Sequence, residues 1–442
     1  MRIFRALSFA MTTSTPFVSG TKTVLVMGGS YGGIGAARLL SKELPVGYRV
    51  VLLERNSHMN HLYVIPRFSV LGSHESKAFI PYDHIYGPTP GIHKTIHGTA
   101  TKLERNRVIY TPASYSSEPT GNQTIEFDYL VYALGAKLPG PIDFWGAKNV
   151  YEEQVNFESE KARAGFSGTR NDSIEFLQRA QGRLKEVENV LVVGGGALGI
   201  QFATDLKDMY PTKQITLLHS RMQLLPKYPQ KMHDEINNTM HKLNVDLVLG
   251  QRLDLKTTLP ENAEYDENGR RVVKTESGKR ICADLVLLCT GQSPNTALLR
   301  DLAPQAVDDN TRLDKVLKTL QVDLTDSKFV AQDGTTQIGT TMPHIYAVGD
   351  SADAFGAIKA GHTAFAQAEL AAKNILASIS NTGLTEYEPS PPAIKVSLGF
   401  RHRVMIMGPE QTMSVGDDGK DDLDAPSMWP FLGADYEKDR DL

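Results

Sequence analysis

Apolar runs that stop abruptly at glycine recur along the chain. Each predicts a buried parallel strand followed by a tight turn. TVLVMGGSYGGIGAA (23–37) and NVLVVGGGALGIQFA (189–203) are a matched pair. Both show an apolar strand, a glycine cluster, then small residues at helical spacing. They lie 166 residues apart, too far for a solenoid and suited to two separate nucleotide-binding folds. DYLVYALGA (128–136), DLVLLCTGQSPN (284–295) and HIYAVGDSAD (344–353) repeat the strand-then-glycine pattern. In 173–188, Ile174, Leu177, Ala180, Leu184 and Val187 recur at helical spacing and lead into the second glycine cluster. Residues 361–379 predict a long helix of small residues. Residues 259–281 are polar, with an acidic, Gly-containing turn, and predict a β-hairpin excursion. Cys282 and Cys289 are placed on or beside one strand leading into TGQSPN, facing opposite sides. The Pro-rich stretch 386–396 marks a boundary before a C-terminal module.

The glycines carry a physical requirement. A strand ends at a turn that only glycine tolerates, a second glycine lets the backbone approach a pyrophosphate, and a third lets the helix pack on the strand. Gly194, Gly196 and Gly199 form the complete G-x-G-x-x-G pattern. The first copy has Gly28, Ser30 and Gly33, with Gly29 and Gly32 between them, so serine replaces the middle glycine. The next strand, RVVLLER (49–55), ends in Glu54, 26 residues after Gly28, where an acid grips a ribose hydroxyl. The strand after the second copy, QITLLHSR (214–221), ends in His219, Ser220 and Arg221 instead. Without that carboxylate, NADPH as well as NADH is permitted.

The fold class is therefore α/β: two Rossmann-like dinucleotide-binding domains plus a small C-terminal α+β module. Residues 22–160 and 298–385 form the first domain in two parts, 161–297 the second, and 386–442 the C-terminal module. Residues 1–21 are a flexible tail or a weak presequence. They carry Arg2 and Arg5 and no acid; the first acid is Glu43. A chain of 442 residues fits about three domains. With 47 basic and 51 acidic side chains the net charge is −4, so no global basic field invites nucleic acid. Two cysteines exclude a disulfide scaffold and a four-thiolate metal site. The histidines show no metal spacing. No apolar run reaches the ~18 residues of a membrane span.

The order of these motifs resembles the two-dinucleotide-binding flavoproteins of the pyridine-nucleotide oxidoreductase superfamily. Within it the chain is similar to the apoptosis-inducing-factor-2-like, or ferroptosis-suppressor, group, above all its fungal members. GGSYGG, NHLYVIPR (60–67), GGGALGIQFATDL (194–206), LLHSR and VGDSAD carry the likeness, from about residue 22 to 385. It implies FAD in the first fold, on Gly28, Gly29, Ser30, Gly32 and Gly33, with Glu54 on the adenosine ribose. Arg55, Ala100, Ala133 and Gly135 would line the same site, Arg67 would approach the flavin, and Gly349 and Asp350 would hold the ribityl chain. NADH or NADPH would bind through Gly194, Gly196, Leu198, Gly199, His219 and Arg221, with Gly291 where the nicotinamide crosses toward the flavin. Lys359, near the start of the 361–379 helix, would assist catalysis. Gln201 stands where the superfamily often has Glu, and Leu134 where this group often has Thr.

The disulfide reductases of this superfamily carry C-x-x-x-x-C after the first helix; residues 38–100 contain no cysteine. The resemblance thus implies hydride from NAD(P)H to flavin, then electrons to a diffusible acceptor of the quinone type. Ala366-Gln367-Ala368 resembles half of a quinone-side motif. SMWPFLGADY (427–436) is read as packing on its own domain, with peripheral membrane contact and homodimerisation as the other expectations. A signalling protein of the apoptosis-factor type, a redox-inert nucleotide sensor, a reductase of a protein carrier and a secondary-metabolism flavoenzyme are the alternatives. The expected location is cytoplasmic, with mitochondrial or membrane association as variants.

Overall fold

The computed structural model describes residues 20–88, 91–116, 119–146, 166–325, 328–330, 336–338, 342–417 and 419–442. Residues 1–19 of the expected tail 1–21, and the boundary at 160, lie outside them.

The first fold is built on an eight-stranded sheet. Its parallel heart is Met342–Ala347, Tyr129–Tyr132, Lys22–Met27, Tyr48–Glu54 and the start of Lys94–Glu104. Met27 registers with Leu53 on one side and Tyr132 on the other. The apolar runs are continuous because both faces are covered: Val24 to Met27 and Val50 to Leu52 are fully buried. Helices Tyr31–Glu43 and Gly361–Ile379 pack together on this sheet. Small residues make the approach possible, since a methyl at Gly35 would stand 2.6 Å from the Phe365 ring. The antiparallel strands Arg107–Pro112 and Gln123–Glu126 extend the far edge.

The second fold is a four-stranded parallel sheet of Asp246–Val248, Gln214–Leu218, Asn189–Val193 and Leu285–Leu288. Residues 259–281 do more than form the expected hairpin. Glu264–Tyr265, Arg271–Lys274 and Arg280–Ala283 make a three-stranded antiparallel sheet that buries Val273 and Ala283 against Leu191 and Leu218. Asp284 ends it: its carboxylate accepts from the Asn189 and Glu188 backbone N–H groups at 2.7 and 3.1 Å. That break puts Cys282 on this sheet and Cys289 beyond Leu288 in the other, which corrects the single-strand expectation.

The C-terminal strands Ile394–Leu398, His402–Met407 and Thr412–Asp417 are antiparallel. Val396, Leu398, Val404 and Ile406 join the core of the second fold, together with Val64, Phe68 and Phe79 from the first third of the chain. The last segment returns to the first fold. Trp429 is fully buried and its indole N–H donates to the Lys77 carbonyl at 3.1 Å. Leu432 is buried too, and the Phe431 ring lies 4.8 Å from Phe365, with the Arg38 guanidinium 5.5 Å from its centre. SMWPFLGADY thus places its largest ring inside its own molecule.

Candidate functional site

Two glycine turns face the ends of the two sheets, and they are built alike. Gly28 has φ +98°, its N–H donates to Leu53, and a side chain there would overlap the Ala133 carbonyl. A methyl at Gly33 would overlap the Gly28 carbonyl oxygen. Gly194 (φ +123°) and Gly199 repeat both constraints, Gly199 against the Gly194 carbonyl. The middle position differs. Ser30 and Gly196 both have extended backbone, φ −92° and −87°, which any residue adopts. Serine there therefore strains nothing, and its hydroxyl makes no capping bond to its helix. The first-turn N–H groups of both helices remain aimed at the space in front, the arrangement that takes a phosphate.

The strand-end residues lock these turns. Glu54 accepts from the Gly29 N–H at 2.5 Å and from the Asn56 N–H and side-chain amide at 2.9 and 2.7 Å. His219 does the same in the second fold: its Nδ1 accepts from the Gly195 N–H at 3.0 Å. That bond puts the ring proton on Nε2, which donates to the Gln223 carbonyl at 3.2 Å. Burial pushes the His219 pKa down, so the imidazole is neutral. His219 was expected among the NAD(P)-binding residues, and its ring is the turn lock that Glu54 is in the first fold, without the charge. Arg221 is exposed beyond it, and Leu198 is half-buried in the core of the second fold. Glu54→Ala should lower FAD affinity about tenfold or more, the ~1.5–3 kcal/mol of a hydrogen bond to a charged group. Retained flavin at unchanged occupancy in equilibrium dialysis would remove Glu54 from the site.

Where the chain crosses between the folds, Ala136–Lys137 pairs with Ser293–Pro294. Asn295 staples this crossing. Its N–H donates to Gly135, its amide to Leu134 at 2.9 Å, and its carbonyl accepts from the Tyr132 hydroxyl at 2.6 Å. Gly135 and Gly291 flank it with φ +60° and +88°, and open space lies in front of both. Asn295 belongs to the TGQSPN motif, but only its contacts reveal the staple. Ala133 donates its N–H to Met27 and closes the Gly28 turn.

Gly349 (φ +78°) turns the chain after the strand Met342–Ala347 and carries Asp350 next to it. Its N–H donates to Gln367 Oε1 at 2.8 Å. Gln367 is buried, so its side chain supports the glycine turn from behind. The Lys359 ammonium folds back on the Ala352 carbonyl. Burial raises the Asp350 pKa and Lys359 opposes the rise.

Arg67 requires a correction. It is fully buried away from the cleft, bonded to both Asp205 oxygens at 2.8 and 2.9 Å and to the Gly399 and Asp421 carbonyls at 2.7 and 2.9 Å. Four of its five N–H donors are spent on protein, so it is a structural tie and not a flavin contact. Arg55 lies 4.5 Å over the Trp145 ring. Ala100 is half-buried, three residues past His97, the register partner of Glu54. Three residues escaped the sequence reading. The Tyr82 hydroxyl donates to the Gly29 carbonyl at 2.7 Å, and the Tyr31 hydroxyl meets His61 Nδ1 at 2.9 Å. Trp145 donates to Asn56 Oδ1 at 2.9 Å. Nothing in their spacing marks them. A cavity of about 950 Å³ opens elsewhere, lined by Arg49, Lys94, Tyr110 and Phe127, and touches none of the residues above. Among the described residues no cluster suits a metal ion, and no helix is long and apolar enough to cross a membrane.

Two linked dinucleotide turns, a strand-end acid and a Gly-Asp turn define a class of two-domain flavoproteins. The family model for pyridine nucleotide-disulphide oxidoreductases matches residues 22–368, and the chain belongs to that family. It is an oxidoreductase that binds FAD and NAD(P)H. It is 39% identical to Fe-regulated protein 8 of Mycosarcoma maydis, over 93% of this chain and 95% of that protein. It is 28% identical to mouse ferroptosis suppressor protein 1, over 86% and 87%. Among solved structures, the sulfide:quinone oxidoreductase of Aquifex aeolicus superposes with a TM-score of 0.63 at 15% identity, over 93% and 90% of the two chains.

Proposed function

We propose that the chain is an FAD-dependent NAD(P)H:quinone-type reductase without a redox dithiol, with FAD at the Gly28 turn and NAD(P)H at the Gly194 turn. One observation carries this reading: both nucleotide turns are intact and the crossing between the folds is stapled at Asn295, yet the two cysteines form no dithiol, Cys282 lying on the antiparallel sheet and Cys289 packed behind the Gly194 turn. Cys289 is buried and its thiol is pushed far above the ordinary range, so it is no nucleophile. When bound, FAD supplies the redox chemistry, accepting hydride and passing on electron pairs. The protein's residues position and insulate. Gly28 and Gly33 admit the pyrophosphate to the end of helix Tyr31–Glu43, Glu54 fixes the turn and faces the ribose, and Asp350 offers an acceptor to the ribityl hydroxyls. The Gly361–Ile379 helix starts beside Tyr31 and directs its positive end toward the same space. Relatives named ferroptosis suppressor protein and a neighbour named sulfide:quinone oxidoreductase support a quinone acceptor.

The test is an anaerobic titration of the purified protein with NADH and, separately, NADPH, following the visible flavin band. Bleaching that reverses on adding a soluble quinone is the expected result. A band that persists under both nucleotides overturns the reductase reading. Nicotinamide choice has its own check. The lock at His219 is neutral, so nothing there repels a 2′-phosphate. His219→Asp should swing the ratio of NADH to NADPH efficiency toward NADH by about tenfold or more, ~1.4 kcal/mol. An unchanged ratio would take position 219 out of cofactor selection.

A further inference from the structure

The cleft has a buried group that none of this uses. Asp314, on the short strand Asp314–Lys315, is fully buried. Neither of its carboxylate oxygens has a hydrogen-bond partner among the described residues. The strand registers Asp314 with Ala352, immediately after the Gly349–Asp350–Ser351 turn. Ser351 is equally buried, and its hydroxyl lies beside the carboxyl without closing a well-formed bond to it. Among the described residues the cation that acts on this carboxyl is Lys359, whose ammonium rests on the carbonyl of that same Ala352. Among the described residues the Tyr132 phenol also faces the carboxyl, and its hydroxyl is committed to Asn295.

An unpaired carboxyl in such a place stays neutral, because ionising it would bury a charge with no hydrogen bond to hold it. Asp350, one residue before Ser351, draws on the same lysine. Lys359 also feels Asp353 and, with the opposite sign, Lys227, both of them exposed and screened by solvent. One ammonium thus stands between two carboxyls that cannot both be charged cheaply.

We propose that Asp314 is a positioning residue of the FAD site: as a neutral acid it leaves Lys359 to Asp350, and on ionising it takes Lys359 for itself and loosens the cofactor. The proton released goes to solvent, and no other bond changes. The proposal rests on FAD occupying the Gly28 turn. Burial raises Asp314 to about 8, against 3.8 for the free group, so the exchange falls just above neutral pH. The sign follows. Stability present below the unfolded value is progressively lost as pH climbs to the folded one, and FAD affinity weakens above it by up to about tenfold per pH unit, the limit for one linked proton.

The experiment measures FAD dissociation against pH, by the fluorescence of released flavin, for the wild type, Asp314→Asn and Lys359→Gln. The amide in Asp314→Asn copies the neutral acid. The wild type should lose affinity on the alkaline side, Asp314→Asn should stay flat and tight, and Lys359→Gln should bind more weakly already at neutral pH. Thermal unfolding of the FAD-free proteins gives a second readout, in which Asp314→Asn should melt above the wild type at alkaline pH. Parallel pH curves for wild type and Asp314→Asn, or equal alkaline melting points, overturn the proposal. A protein that takes up no FAD at any pH fails the cofactor assignment instead.

Discussion

Arg67→Ala should cost roughly 3–5 kcal/mol of stability, the penalty for leaving one partner of a buried ion pair alone. Its role as a buried tie stays hidden in sequence because arginine is ordinarily a surface residue. Here its side chain and that of Asp205 have no exposed area. The guanidinium fork grips both oxygens of Asp205, on the helix Ala197–Met209, and the carbonyls of Gly399 and Asp421. The Phe400 ring lies 4.6 Å away. One side chain therefore joins the segment Ile65–Phe68, the second nucleotide fold and the C-terminal module. Arg67→Lys should lose most of the same stability, because a point charge cannot reproduce a planar fork with bonds in several directions. Arg67→Met combined with Asp205→Leu should recover much of it, since an apolar pair of similar volume needs no counter-charge. Urea unfolding of the purified holoproteins separates the cases. A single variant within ~1 kcal/mol of wild type, or a double variant no better than the single, would show that the tie is not energetically important. Flavin affinity should fall less than stability does, because the fork lies away from the cleft.

Arg67 also shows where sequence reading stops. The parallel sheets, both glycine turns and Glu54 were legible because each depends on local chemistry: β-branched runs, positive φ, an acid at a strand end. Long-range partners were not. His219 fell in the expected strand-end position, but only the Gly195 contact shows that its imidazole is turned inward as a lock. Gln367 sat in an apparent acceptor motif, and its bond to Gly349 gives it a supporting role. Asp314 carried no motif at all. Its place is set by a two-residue pairing with Ala352, 38 positions further on, which no periodicity announces. The hairpin expected over 259–281 became a three-stranded sheet because Val273 and Ala283 have an apolar face to cover.

Gly33→Ala should abolish flavin binding, whereas Gly196→Ser should leave the fold intact, although both change a glycine of the same motif. The difference is what a new Cβ would meet. At Gly33 it would collide with the Gly28 carbonyl oxygen, a backbone atom held between strand and helix that cannot swing aside. Overpacking of this kind costs typically about 1–3 kcal/mol where neighbours can shift, and more where they cannot. The movement it forces would displace the N–H groups that receive a pyrophosphate. Gly199→Ala should do the same to nicotinamide binding through Gly194. At Gly196 the backbone is extended and nothing lies within 4 Å, so serine needs no rearrangement. The chain supplies its own control in Ser30, which holds the equivalent place in the first turn with nearly the same φ. Gly196→Ser should therefore melt within about 1 kcal/mol of wild type, as surface-like changes do. Its effect should be confined to the KM for NAD(P)H, because the open space in front is where we propose that this cofactor binds. Flavin absorbance per protein, measured beside the melting curve, decides the matter. Stoichiometric FAD in Gly33→Ala would show that the turn can relax around a methyl group, and a collapsed melting point in Gly196→Ser would show that the middle glycine is needed for the fold itself.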